Sequence, residues 1–245
     1  MRLNAHVIDW SEVTDSRGTA ERVPILLALA EHEQAPAVWD ELWDRLCLLG
    51  ETVFPASLAA LPYLVDLAAS STRALELAGA IVRAAQQSYA TDALLGDCTD
   101  SVVQLQILVD AYLRSRPDDY YRAFRDLLAA QGQQLWSVAI GDFEDDFYHV
   151  PCPRCGVEVT VVIGEYGRYS AIRGWLAGDT DRRDLMPAQA DSLVGVARQM
   201  YDLANRDEQQ RLAEGLTYLF GQAECPRCAD VFAIAESYAA ANEVR

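Results

Sequence analysis

The sequence predicts a mainly α fold, with a stack of helices over residues 1–140 and a smaller α+β region over residues 141–245. Three observations predict it. Apolar residues recur at helical spacing through the first 140 positions. After Ile140 the texture turns acidic and aromatic, then β-branched. Two identical turns, Cys152-Pro-Arg-Cys155 and Cys225-Pro-Arg-Cys228, bracket most of the second region.

Taken in order, residues 1–18 read as an irregular lead-in. Thr19 is a candidate N-cap for AERVPILLALAEHE, where Val23, Leu26, Leu27 and Ala30 follow i, i+3, i+4, i+7. A second helix is expected over 37–49, with Trp39, Leu42, Trp43 and Leu46 on one stripe and Gly50 as its stop. Helices at 56–69 and 72–87 follow, then two longer ones near 100–114 and 117–140. Beyond them, Val157-Glu-Val-Thr-Val-Val-Ile163 reads as a strand, with 164–167 as its turn. Residues 187–204 and 207–221 read as helices joined near Asn205. A short strand or helix starts at Val231.

The paired cysteines carry the chemistry. A Cys-x-x-Cys turn with Pro after its first Cys points two sulfurs at one spot. Zinc takes four ligands tetrahedrally and favours thiolate. Cys152, Cys155, Cys225 and Cys228 therefore form a candidate structural zinc site, with 69 residues between the turns. Such a site has no open coordination position. The ion would clip the end of the chain back onto the hairpin. His149, three residues before Cys152, is a possible competing ligand. A redox role is the alternative reading, since Cys-Pro-x-Cys also serves oxidoreductases. Cys47 falls in an apolar helix and reads as core. Cys98 has no assigned role.

Composition narrows the function further. Twenty Arg, no Lys and 37 acids give a net charge of −17. The imbalance is even, with 10 Arg against 19 acids before residue 131 and 10 against 18 after. Phosphate backbones need clustered cations, so nucleic acid is not an expected partner. No apolar run approaches the ~20 residues of a membrane span. MRLNAHVIDWSEVTD lacks the apolar stretch of a signal peptide, so a cytoplasmic location is expected. His6, His32 and His149 are scattered, and no phosphate loop, nucleophile elbow or zinc-protease helix occurs. The acidic stretch 142–146, with Asp142, Glu144, Asp145 and Asp146, reads as an exposed loop or docking patch. Acid–base catalysis there is the alternative. The tryptophans mostly fall at helical spacing and read as core.

VPILLALA at 23–30 and LPYLVDLA at 61–68 form a weak repeat at an offset of 38 residues, each followed by a second amphipathic helix. An internal Pro would bend the first helix of each pair. A length near 40 residues is similar to HEAT repeats. Two segments, WDELWDRLCLLGETVFPASLAALPYLV at 39–65 and LFGQAECPRC at 219–228, together resemble bacterial HEAT-like proteins of unknown function, some with a zinc-ribbon-like tail. Ala229, where that tail has Gly, is a departure. The resemblance implies a scaffold or binding surface, and some such proteins appear beside toxin genes, the place expected of immunity proteins. The expectation is thus a non-catalytic module that binds another protein of basic charge, its sharpest form an immunity-type inhibitor of a basic toxin. A thiol-redox or carboxylate-dependent enzyme is the alternative.

Overall fold

Apolar periodicity places the helices, and local capping chemistry sets their ends. The computed structural model describes residues 8–32, 36–86, 95–172 and 181–242. It is mainly helical, with ten α-helices among the described residues and small antiparallel sheets. None of these helices is long and apolar enough to cross a membrane. The chain divides into two compact units, Met1–Ser137 and Val138–Arg245. His6 lies outside the described residues.

The first unit begins with a small hairpin, β1 (Thr14–Asp15) and β2 (Gly18–Thr19), and continues into α1 (Val23–His32) and α2 (Pro36–Leu46). Thr19 is therefore part of a strand and not the N-cap of α1. Its hydroxyl bonds the Glu21 carboxylate instead. α2 stops at Leu46 rather than at 49. A second hairpin, β3 (Cys47–Leu48) and β4 (Thr52–Val53), takes over there, and Leu49 and Gly50 turn it at φ 56° and 75°. α3 (Pro55–Ala68) opens with Pro at its first position, where a missing N–H leaves nothing unbonded. The Ser57 hydroxyl oxygen accepts the Phe54 N–H at 2.8 Å, although Phe54 itself has no side-chain acceptor with which to cap the helix. α4 (Thr72–Ala85) is capped by Ser71, α5 spans Thr99–Arg114, and Asp119 caps α6 (Tyr120–Ala130).

Neighbouring helices pack in sequence: α1 on α2, α3 on α4, α5 on α6, with α4 also against α6. Leu61 and Leu64 of α3, Leu77 and Ile81 of α4, Leu105 and Leu113 of α5, and Phe124 of α6 form the core. A buried ion pair, Arg83 with Asp126, bridges α4 and α6. Gly79 leaves room for that carboxylate, which a methyl group would meet at 2.6 Å.

The helix expected over 117–140 is two. Gly132, at φ 73°, ends α6 in a Schellman turn, with the Gly132 and Gln133 N–H groups donating to the Ala129 and Leu128 carbonyls at 2.8 Å each. α7 then runs Gln134–Glu144, so the unit boundary falls inside a helix. The two proline-bearing segments also differ in register. Pro24 is the second residue of α1, whereas Pro62 is eight residues into α3.

The second unit is built on an antiparallel meander, β5 (Phe147–Pro151), β6 (Glu158–Gly164), β7 (Gly167–Ala171) and β8 (Arg183–Asp184). The expected turn at 164–167 joins β6 to β7. The helices α8 (Gly195–Arg206) and α9 (Gln210–Leu219) pack on each other, and α9 packs on β6. A last hairpin, β9 (Gln222–Glu224) and β10 (Val231–Ala233), leads into α10 (Ile234–Asn242), which covers β5. Tyr148 and Tyr238 meet edge to face there at 5.7 Å.

Candidate metal centre

Each cysteine turn is the loop of a β-hairpin, and the two loops are built alike. Six residues separate the pair Pro151 and Glu158 of β5–β6, and six separate Glu224 and Val231 of β9–β10. In the first, the Cys152 N–H donates to the Val157 carbonyl at 2.8 Å and the Gly156 N–H to the Cys152 carbonyl at 2.9 Å. In the second, Cys225 donates to Asp230 at 2.8 Å and Ala229 to Cys225 at 2.9 Å. The residue after each second cysteine is left-handed, Gly156 at φ 70° and Ala229 at φ 56°. The missing glycine thus leaves the turn intact, and Ala229 takes the strained conformation instead.

The fold brings the two loops together. The Ser170 hydroxyl of β7 donates to the Glu224 carbonyl at 2.6 Å, and Arg183 of β8 bonds the Glu224 side chain at 3.1 Å. An antiparallel bridge from Met186 to Gln222 adds to this. β9 is therefore held beside the meander that carries the first loop. Sequence reasoning missed these groups, because nothing local marks a serine or an arginine that acts across 54 or 41 residues.

All four sulfurs lie within 4.8 Å of one another. Cys152 and Cys228 are 3.7 Å apart and Cys155 and Cys225 are 3.8 Å apart, with no disulfide among them. Four thiolates about 2.3 Å from a tetrahedral ion would be about 3.8 Å from each other. The donor set and its spacing therefore fit a thiolate-binding ion such as zinc. Cys152 and Cys225 are buried, Cys228 is half-buried and Cys155 is exposed. His149 is not in the cluster. Its Nδ1 lies 3.4 Å from the Thr160 hydroxyl and 3.8 Å from the Glu158 carboxylate.

The electrostatics of the cluster are those of a site short of positive charge. The Val157 backbone N–H draws the Cys155 thiol down to about 7. Burial pushes the Cys225 thiol up. At Cys228 the Asp230 N–H pulls down, but burial and the other three sulfurs outweigh it and hold the thiol at about 12. Four thiols this close cannot all ionise without a cation, and a divalent ion would supply that charge.

The remaining candidate residues fall elsewhere. Cys47 is core, its thiol pushed up to about 12 by burial. Cys98 is half-buried, with Sγ 3.6 Å from the Leu58 carbonyl. The stretch 142–146 is not an exposed patch. Asp142 sits on α7 and accepts a 2.7 Å bond from the Tyr238 hydroxyl. Asp146 is buried, accepts bonds from Arg211 at 2.8 Å and the Glu165 N–H at 2.6 Å, and occupies space that Gly164 leaves free. Only Glu144 and Asp145 of that stretch are exposed.

No protein-family model, curated protein or solved structure matches the chain.

Proposed function

We propose that this protein is a non-catalytic, protein-binding module whose second unit is fastened by one structural zinc ion on Cys152, Cys155, Cys225 and Cys228. The observation that carries the metal reading is four sulfurs within 4.8 Å of one another, two pairs of them at 3.7 and 3.8 Å. Four protein ligands leave no coordination position for a substrate, so the ion's contribution is to folding. When bound, it neutralises thiolates and links the two hairpins.

The packing of α1 on α2, α3 on α4 and α5 on α6 supports reading the first unit as a HEAT-like stack, a form that offers an extended surface. The charge of −17 favours a basic partner, and opposite charges speed encounter in a salt-sensitive way. In its sharpest form the protein is an acidic immunity-type inhibitor of a basic toxin, acting in the cytoplasm. The thiol-redox alternative has one observation in its favour, the exposed Cys155 with its lowered thiol. The carboxylate-enzyme alternative is weakened by the engagement of Asp142 and Asp146 in internal bonds.

Metal analysis with alkylation separates the readings. The proposal expects one zinc per chain, with the four ligand cysteines protected until zinc is removed. Metal-free protein whose four cysteines react at once, or which cycles between dithiol and disulfide, contradicts the zinc. Affinity capture at low and then high salt tests binding, and the expected result is one basic protein retained at low salt. Failure to retain any protein at either salt contradicts the binding role.

A further inference from the structure

The first unit carries a groove of about 340 Å³ between α1 and α3. Leu27 and Glu31 of α1, Tyr63, Asp66 and Leu67 of α3, and Trp10 line it. These residues recur at i, i+4 on α1 and i, i+3, i+4 on α3, so each helix presents one stripe to the groove. Two of the lining residues, Trp10 and Tyr63, are aromatic. Trp10 and Tyr63 stand 6.4 Å apart at a tilt of 54°, and Tyr63 is 40% exposed.

The polar part is of one sign. Glu31 and Asp66 are exposed, and among the described residues no arginine lines the groove and neither carboxylate has a cationic partner. Both sit in the last turns of their helices, where the backbone dipole already places partial negative charge. Carboxylates there oppose the dipole in the free protein. A cation entering the groove would relieve both repulsions and could lie against an aromatic face.

We propose that this groove receives an arginine or lysine side chain of the partner protein, its aliphatic stem on Leu27 and Leu67, its charge between Glu31 and Asp66 and its flank on Tyr63 or Trp10. The proposal rests on the protein-binding reading above and names the chemistry by which the first unit would contribute to it. Charge complementarity selects the occupant, because an apolar or acidic side chain would leave two carboxylates unrelieved.

The test titrates the full, zinc-loaded chain with a blocked tetra-arginine peptide and with its neutral tetra-citrulline counterpart. Binding is read from the Trp10 indole resonance, assigned with Trp10→Phe. The arginine peptide should shift that resonance, and the citrulline peptide should not. Glu31→Gln/Asp66→Asn should weaken binding roughly tenfold. Asp145→Asn/Asp184→Asn, an equal change of charge on the second unit, should leave affinity within about twofold. Equal affinity for both peptides, no effect of the groove variant, or an equal effect of the control variant overturns the proposal. The two failures are distinguishable. If a partner captured by the wild-type chain stays bound to Glu31→Gln/Asp66→Asn, the groove assignment falls and protein binding stands. If nothing is captured at any salt, the binding reading falls with it.

Discussion

The two cysteine turns differ at one position that permits a reciprocal experiment. Gly156 and Ala229 occupy the same place in identical hydrogen-bonded loops, at φ 70° and 56°. A methyl group on Gly156 would meet nothing within 4 Å, and the Ala229 side chain is exposed, so packing plays little part at either site. What remains is backbone. A left-handed alanine costs about 1–2 kcal/mol. Glycine avoids that cost but loses about 0.5–1 kcal/mol more conformational freedom on folding. The difference favours glycine by about 0.5–1 kcal/mol. Ala229→Gly should therefore stabilise the zinc-loaded unit by that amount, and Gly156→Ala should destabilise it equally. Because ordering of the loop and capture of the ion are coupled, zinc affinity should rise or fall by a factor of about 2–5. Competition against a chromophoric chelator measures this, with thermal unfolding as the companion readout. The double variant should return close to wild type. If Ala229→Gly weakens zinc binding, or the double variant lies outside the range of the two singles, the backbone argument is wrong.

Three other outcomes are expected. Cys152→Ser should lower amide-exchange protection across Val138–Arg245 while α3, α4 and α6 keep theirs, and equal loss along the whole chain would contradict two separate units. Gly164→Ala forces a methyl into the space of the Asp146 carboxylate, which binds Arg211, so a loss of about 3 kcal/mol or more in denaturant titration is expected, and a loss below about 1 kcal/mol would refute the buried placement. Arg83→Met leaves Asp126 without its partner and should cost about 3–5 kcal/mol near neutral pH. Burial already pushes the Asp126 carboxyl up to about 7, against the pull of Arg83. A folded-state value above the unfolded one favours the fold at low pH, and that contribution is lost as pH rises through about 7. The defect in Arg83→Met should therefore shrink on acidification from pH 8 to pH 5 relative to wild type, as read by urea midpoints.

The cluster of Cys152, Cys155, Cys225 and Cys228 was legible because a doubled Cys-x-x-Cys is a local pattern with one dominant chemical use. So were the buried stripes of α1 and α3, whose positions Leu26, Leu27, Leu61 and Leu64 are buried as spacing implies. What escaped was set by distant partners. Asp146 reads as one more acid in an acidic run until Arg211, 65 residues away, turns its carboxylate inward. β5 contains His149, Val150 and Pro151 and carries little strand signature of its own; pairing with β6 makes it a strand. The break at Gly132 was a local signal outweighed by the apolar pattern on both sides of it. Trp10 fell in the stretch read as irregular, and its contact with Tyr63 across 53 positions gave no periodic trace.

The matched hairpins also bear on how an ion would be acquired. Each loop arranges its own two sulfurs through backbone hydrogen bonds, so the centre consists of two bidentate halves and not four independent side chains. An ion could be held by one half before the second arrives, which makes ligand exchange stepwise. Joining the halves closes a loop of 70 residues between Cys155 and Cys225. A covalent cross-link over that span would restrict the unfolded chain by about 4 kcal/mol. A bound ion acts as the reversible counterpart of such a cross-link, so the free zinc concentration would set how tightly the end of the chain is tethered.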